Sequence, residues 1–133
     1  MKRIPFILLF ICQISFAQNC TWAKSGDGTG INESHGLCFD NTGNVYMSGQ
    51  FSSPTLMLGT FTLVNTNSVS VFVAKYDPNG NVIWAKNSIS NGSISDWCLS
   101  VSCDNFGNVY ACGYFSGTNI VFDTYTLTNS SFV

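Results

Sequence analysis

The hydrophobic positions that follow residue 20 form short runs separated by polar breaks. The runs include NVYMSGQF, VFVAKYD, NVIWAK, LSVSCD and NVYACGYF, and they are rich in Val, Ile, Phe, Tyr and Trp. Gly, Pro, Asn and Asp bound them, as is typical of strands and tight turns. No 3.6-residue helical period is visible in this part of the sequence. The pattern therefore predicts an all-β chain of short antiparallel strands.

The strand predicted over 44–51 has no purely polar face. One alternating face carries Val and Met, and the other carries Tyr, Ser and Gln. A sheet that is covered on both sides is expected to show this mixture. Gly49 lies inside the strand and recurs in register as Gly113. A glycine at such a position indicates a bulge or a close backbone approach.

Three tight turns share the pattern Asp-x-x-Gly-Asn. Each pattern predicts a type I turn followed by a left-handed glycine, which closes an antiparallel hairpin. The aspartate side chain is expected to accept a hydrogen bond from the backbone two residues further on. This structural role is favoured over acid–base chemistry or calcium binding. The turn residues are Asp40 and Gly43, Asp77 and Gly80, and Asp104 and Gly107.

The sequence contains an internal repeat. DNTGNVYMSGQF at Asp40–Phe51 returns 64 residues later as DNFGNVYACGYF at Asp104–Phe115, with eight of the twelve positions identical. WAK and FTL also recur at nearly the same offset, so one unit spans about 62 residues. Four strands per unit, joined by tight turns, predict a four-stranded antiparallel meander. Repeated meanders of this length indicate β-propeller blades.

The repeat divides the chain after residue 17. We expect an orphan strand over 20–25, a first blade over about 35–87 and a partial second blade over about 97–133. The second unit stops in its third strand, so we expect a truncated, incomplete propeller whose remaining blades belong to the same full-length chain.

Residues 1–17 resemble a secretory signal peptide. Lys2 and Arg3 precede an apolar run, and small residues precede a cleavage site predicted after Ala17. A retained anchor is the alternative, but the run is short for a membrane span. We therefore expect a secreted or cell-surface protein with no membrane contact after cleavage.

Composition narrows the classes of partner. Hydrophobic residues make up 45% of the chain and charged residues 9%, which indicates a folded protein. The formal net charge is -2, and no basic patch is available to neutralise phosphates. Nucleic acid is therefore an unexpected partner.

The ordered motifs resemble the SBBP-type bacterial β-propeller repeat. The pattern runs WAK, DxxGNVYxxGxF, FxxxTL and FVAKYDxxGNVxWAK, and it covers Thr21 to Val133. The resemblance implies multi-bladed propellers in exported bacterial proteins. It implies no single activity and no shared catalytic residues, and cysteines are not part of the pattern.

Other candidate sites in the sequence are weaker. The glycine-rich stretch SGDGTGINE lacks the ligand count of a calcium loop and is read as a connecting loop, as is SISNGSISD. His35 is the only histidine, without a recognisable nucleophile motif. Trp22 and Trp84 are repeat-equivalent and predict blade packing rather than a sugar platform, whereas Trp97 has no aromatic counterpart. No catalytic residue, metal or cofactor is predicted.

Five cysteines remain after the predicted cleavage, so at least one has no partner within the chain. Their spacing does not match a zinc site. A hairpin register built from the Asp104–Asn108 turn places Cys98 and Cys112 diagonally on one face, which makes them a candidate disulfide. Cys20–Cys38 is a more remote alternative.

The sequence predicts a non-catalytic binding or scaffold module for protein or glycan contact at the cell surface. The alternatives are a part of a propeller-hosted glycoside-active hydrolase and a structural spacer in a large surface adhesin. Positions that differ between the copies, such as MSGQ against ACGY, are expected to set recognition.

Overall fold

A computed structural model describes residues 20–66, 68–91 and 95–130, and the predicted signal segment lies outside these ranges. Its regular structure is entirely β, with no helix in the described ranges. Accordingly, the described residues include no helix long and apolar enough to cross a membrane. The strands are β1 (Asn32–Phe39), β2 (Val45–Phe51), β3 (Thr55–Leu58), β4 (Phe61–Val64), β5 (Ser70–Tyr76), β6 (Val82–Asn91), β7 (Trp97–Cys103), β8 (Val109–Tyr114), β9 (Asn119–Phe122) and β10 (Tyr125–Thr128).

The strands form one six-stranded antiparallel sheet and two hairpins. The large sheet has the order β1-β2-β5-β6-β9-β10, and the hairpins are β3–β4 and β7–β8. Strands β1, β2, β5 and β6 follow one another as the predicted meander, while β3–β4 is inserted between β2 and β5. The sheet then continues because β6 is long. Its first part pairs with β5, and its last four residues pair with β9.

The internal repeat is present in the strand pairing. Hairpin β7–β8 repeats β1–β2, because Ser100 pairs with Cys112 as Gly36 pairs with Ser48. Hairpin β9–β10 likewise repeats β3–β4, since each of its pairs lies 64 residues after a β3–β4 pair. The two copies therefore share local topology as well as sequence.

Both copies contain a β-bulge at the same place. The register shifts between Ser34 and Gly36 in β1 and between Cys98 and Ser100 in β7. The glycine of the partner strand lies against this irregularity. A Cβ added to Gly49 would be 1.9 Å from the Glu33 carbonyl oxygen, and the repeat-equivalent distance at Gly113 is 1.8 Å. A side chain cannot fit at either position.

The main apolar core lies on one face of the first meander, here called the front face. Val45, Phe51 and Phe72 line this face, and the β3–β4 hairpin covers it with leucine side chains. Trp22 packs at the edge of this core, where its ring stacks on Tyr76 at 5.9 Å. The core therefore joins the meander to its inserted hairpin.

The opposite, back face of the first meander is covered by the β7–β8 hairpin. Tyr46 and Ser48 on this face are fully buried. A Cβ added to Gly36 of β1 would be 2.7 Å from the Val101 backbone nitrogen, so β1 and β7 approach closely. Cys98 and Val101 of β7 are buried. They pair with Gly113 and Ala111, the equivalents of front-face positions, so the second copy packs front to back on the first.

Two sequence-based expectations are wrong in this region. Residues 20–26 form no strand, because this segment has no backbone ladder to join and is attached through the Trp22 side chain instead. The stretch read as a loop after Lys86 is partly strand, since residues 88–91 pair with β9. That pairing joins residues about thirty positions apart, which a local pattern does not reveal.

Gly49→Ala tests the close approach at the bulge. The new methyl group would meet backbone, which cannot move aside as a side chain can, so we expect a loss of about 3 kcal/mol in unfolding free energy. Urea denaturation followed by circular dichroism would measure this loss. Ser102→Ala, at an exposed position of β7, is the control and should change stability by less than about 0.5 kcal/mol. Equal midpoints for the two variants would contradict the described geometry.

Candidate interaction site

The Asp40 carboxylate organises the β1–β2 turn. Its Oδ1 accepts hydrogen bonds from the backbone nitrogens of Thr42 and Asn44, both at 3.0 Å, and its Oδ2 accepts one from the Asn44 side chain at 2.8 Å. Gly43 completes the turn with a φ of 83°. The side chain thus satisfies backbone donors that the tight turn leaves without strand partners.

Asp77 and Asp104 occupy the same position in their own turns. Each accepts two backbone hydrogen bonds at one oxygen and a side-chain amide at the other, from Asn81 and Asn108 respectively. The glycines of both turns have positive φ, 80° for Gly80 and 85° for Gly107.

The hydrogen bonds keep these three carboxyl groups ionised. The Asn44 side chain, followed by Thr42, holds the pKa of Asp40 far below its usual range. The side chains of Asn81 and Asn108 are the main causes that lower the pKa of Asp77 and Asp104. Within the described ranges, no group of three His, Cys, Asp or Glu side chains is placed to hold a metal ion. The turn aspartates therefore serve backbone geometry.

Residues that differ between the copies meet at the opposite end of β1. Glu33 pairs with Gln50 across β1 and β2, and their side chains are hydrogen-bonded at 2.9 Å. At the repeat-equivalent pair, Trp97 lies opposite Tyr114, and the rings stack with centroids 6.2 Å apart. One strand position thus carries a polar pair in the first copy and an aromatic pair in the second.

His35 connects the two pairs. Its Nε2 lies 3.5 Å from Glu33 Oε2, and its ring centroid lies 5.4 Å from that of Trp97. His35 is the bulge residue of β1, and a bulge redirects the side chain it contains. We call Glu33, His35, Gln50, Trp97 and Tyr114 the junction cluster.

The junction cluster offers contact chemistry. Tyr114 is 51% exposed, and Trp97 keeps part of its surface accessible while its indole N–H donates to the Ser95 hydroxyl at 2.7 Å. Partly exposed aromatic rings beside a carboxylate and an imidazole are typical of protein-contact surfaces. The described contacts of His35 are with Glu33 and Trp97.

Sequence reasoning found only parts of this cluster. Trp97 stood out because the first copy has no aromatic residue there, and Gln50 and Tyr114 lie within the differing MSGQ and ACGY segments. His35 has no predicted partner, because Gly49 and Gly113 indicate a bulge or close approach without showing that His35 is the bulged residue or that the copies pack front to back. Glu33 and Trp97 occupy equivalent positions of the two copies but differ in chemistry. This difference is the sequence signal that could have identified the cluster.

The predicted Cys98–Cys112 disulfide is wrong. All five described cysteines are free thiols. The predicted pairing of Ser100 with Cys112 is confirmed. The bulge, however, places Cys98 opposite Gly113 rather than opposite Tyr114. Cys98 is therefore buried on the front face of its hairpin, while Cys112 is exposed with Ser100 on the other face. The alternative pairing was Cys20 with Cys38. Cys20 is exposed, and its thiol donates a hydrogen bond to the Trp22 carbonyl at 3.3 Å.

The other two tryptophans take part in packing. Trp22 donates its indole N–H to the Pro78 carbonyl at 3.1 Å. The Trp84 and Tyr46 rings pack edge to face, with their centroids 6.3 Å apart. The glycine-rich stretch SGDGTGINE is held by two backbone hydrogen bonds between Asp27 and Met57, at 2.9 and 2.8 Å.

An apolar cavity of about 640 Å³ lies between the two copies. Val71 and Val73 of β5 form one wall, and Val109 and Ala111 of β8 form another. The rest is lined mainly by the β9–β10 hairpin and the aromatic end of β8. Its walls are too apolar for a charged ligand, and they suit another apolar strand or side chains.

Comparison with known proteins gives one informative match. The chain is 36% identical over 110 residues to a WD repeat-containing protein of Acanthamoeba polyphaga mimivirus. The match covers 78% of this chain but only 8% of that relative, so the chain spans less than a tenth of the relative's length. No protein-family model and no solved structure matches the chain. The relative is described as containing WD repeats, and the SBBP-type assignment of this chain stays a prediction.

The turn aspartates predict an acid-dependent loss of stability. Their pKa values are lowered in the folded chain, whereas unfolded aspartate titrates near about 3.9. The unfolded chain therefore binds more protons as the pH falls below about 5, and the folded state loses stability. We expect the urea midpoint to drop between about pH 5 and pH 2.

The triple variant Asp40→Asn, Asp77→Asn, Asp104→Asn removes these charges. Its urea midpoint should be lower than wild type at pH 7 and should change much less with pH. Asp27→Asn, whose carboxylate lies outside the three turns, is the matched control and should keep the wild-type slope. Parallel pH profiles for the triple variant and wild type would show that other groups control acid stability.

Proposed function

We propose that this chain is part of an exported β-propeller of the SBBP type and acts as a non-catalytic module for protein contact. The junction cluster is the observation that carries the proposal. It lies where two copies of the repeat meet, and it is built from residues that the copies do not share.

Repeated front-to-back packing supports the propeller architecture. Tyr46 on the back face of the first copy is fully buried by the second copy, whereas its equivalent Tyr110 is 60% exposed. The back face of β7–β8 thus presents the equivalent tyrosine, with Ser100 at the position that Gly36 occupies in the first copy. A further repeat whose front face covered Tyr110 would extend the same stack. We therefore expect further blades of the full-length protein as the first partner of this chain.

The arrangement of the junction cluster favours a protein ligand over a glycan. The Trp97 ring is inclined by 31° to His35 and by 17° to Tyr114, so it stacks within the chain rather than standing alone as a platform. Glu33 adds a charge that a basic or polar peptide side chain could pair with. Aromatic and charged groups in this combination commonly dominate binding energy at protein interfaces.

A random peptide library displayed on phage would test the protein-contact proposal. The library is selected on the immobilised 133-residue chain alone, and the affinity of each enriched peptide is then measured on wild type and on Trp97→Ala. We expect peptides that bind the wild-type chain and lose at least about tenfold in affinity on Trp97→Ala, since truncating a hot-spot aromatic residue costs about 2 kcal/mol or more. Tyr125→Ala, at an exposed aromatic residue outside the cluster, is the matched control and should bind normally.

The outcomes separate the classes of ligand. Peptides that bind wild type and both variants equally would overturn the assignment to the junction cluster. If no peptide is enriched but an oligosaccharide array gives a signal that Trp97→Ala removes, the glycan alternative replaces the protein-contact proposal. Urea denaturation of each variant checks that the loss reflects contact rather than unfolding.

Export is tested by the mass of the processed chain. Expression in a bacterium with a periplasm should give a periplasmic product that begins at Gln18, because cleavage is predicted after Ala17. Ala17→Pro should block processing while leaving the apolar run unchanged. A cytosolic product that retains residues 1–17 would contradict the proposed export.

A further inference from the structure

Two thiols from different copies of the repeat face each other across the packing interface. Cys38 lies near the end of β1 and pairs with Tyr46, which places it on the back face of the first meander. Cys103 ends β7 and pairs with Val109, which places it on the front face of the second hairpin. These are the two faces that pack together.

The backbone approach of β1 and β7 brings the two residues to the same level. Gly36 of β1 lies against the Ser100–Val101 peptide of β7. Cys38 is two residues beyond this contact on β1, and Cys103 is two residues beyond it on β7. Both strands then enter equivalent aspartate turns, so they run in the same direction.

The two side chains are neighbours in this interface. The Cys103 thiol is near enough to affect the pKa of Cys38, and neither side chain is fully buried. Burial, followed by the neighbouring Cys103 thiol, raises the pKa of Cys38 to about 12. Because burial is the larger cause, little of Cys38 is thiolate while its side chain stays in this interface.

We propose that Cys38 and Cys103 form a disulfide that links the two copies of the repeat when a disulfide oxidant is present. The Cys103 thiolate attacks one sulfur of a small-molecule disulfide and releases one thiol, giving a mixed disulfide on Cys103. The Cys38 sulfur, as its thiolate, then attacks Cys103 and releases the second thiol. The protein dithiol is oxidised by two electrons, and the small-molecule disulfide is reduced to two thiols.

This pair is specific to one junction. The repeat equivalent of Cys38 is Ser102, and the repeat equivalent of Cys103 is Phe39. Neither copy therefore carries the pair by itself, and further stacking of identical repeats would not reproduce it. The link would close a loop of about 65 residues, a length for which restriction of the unfolded chain is expected to stabilise the folded state substantially.

The test is oxidation of the folded 133-residue chain with oxidised glutathione at pH 8.5. We expect the thiols of Cys38 and Cys103 to be lost together, and the urea midpoint to rise by about 2 M from the loop length and typical urea slopes. Alkylation followed by digestion with Asp-N and chymotrypsin separates Cys38, Cys98, Cys103 and Cys112 into different peptides. Mass spectrometry should then detect the Cys38 peptide joined to the Cys103 peptide.

Matched variants keep the proposal falsifiable. Cys38→Ser and Cys103→Ser should each abolish the rise in the urea midpoint, whereas Cys112→Ser should leave both the link and the rise intact. The proposal is overturned if the linked peptide contains Cys98 or Cys112 instead. It is also overturned if Cys38 and Cys103 are recovered separately, as free thiols or as glutathione adducts, after the incubation.

Discussion

The need to cover both faces of the β1-β2-β5-β6 meander controls the rest of the structure. A sheet with Phe and Val on one face and Tyr, Ser and Val on the other cannot leave either face in water without losing burial of apolar area. The chain solves this in two ways. The front face is covered locally by the β3–β4 hairpin, and the back face is covered by the next copy of the repeat. The second solution makes each copy depend on its neighbour.

Close backbone approach makes this stacking possible. Gly36 allows β7 to lie against β1, and Gly49 and Gly113 accept the bulge within each hairpin. A methyl group at these sites would push the layers or the paired strands apart. The glycine positions therefore set the spacing of the stack, while the aspartate turns set where each strand ends. The bulge glycines and the turns recur at the same offset, whereas Gly36 is replaced by Ser100 in the second copy, so the hairpin geometry of one copy predicts that of the next.

Much of this fold could be predicted from sequence because its signals are local. The turn pattern around Asp40 and Asp104 fixed the hairpins, and the repeat offset related them correctly. Gly49 and Gly113 indicate a bulge or a close backbone approach, but the hydrophobic pattern does not show that the extra residue lies in the partner strand, at His35 in β1 and Leu99 in β7. Without the extra residue, the predicted register places Cys98 on the wrong face of its hairpin and gives His35 no partner. The pairing of residues 88–91 with β9 was missed for a different reason, because it is not local.

The repeat also explains where specific chemistry is placed. Residues that both copies share are committed to turns, close approaches and core, so a change there would disturb every equivalent contact. Residues that differ between the copies do not have to preserve equivalent contacts. Several of them lie at the two ends of the β1–β7 contact. Glu33, His35 and Trp97 lie at one end, and Cys38 and Cys103 lie at the other. The β1–β7 contact, rather than either copy alone, therefore holds the residues that distinguish one copy of the repeat from the other.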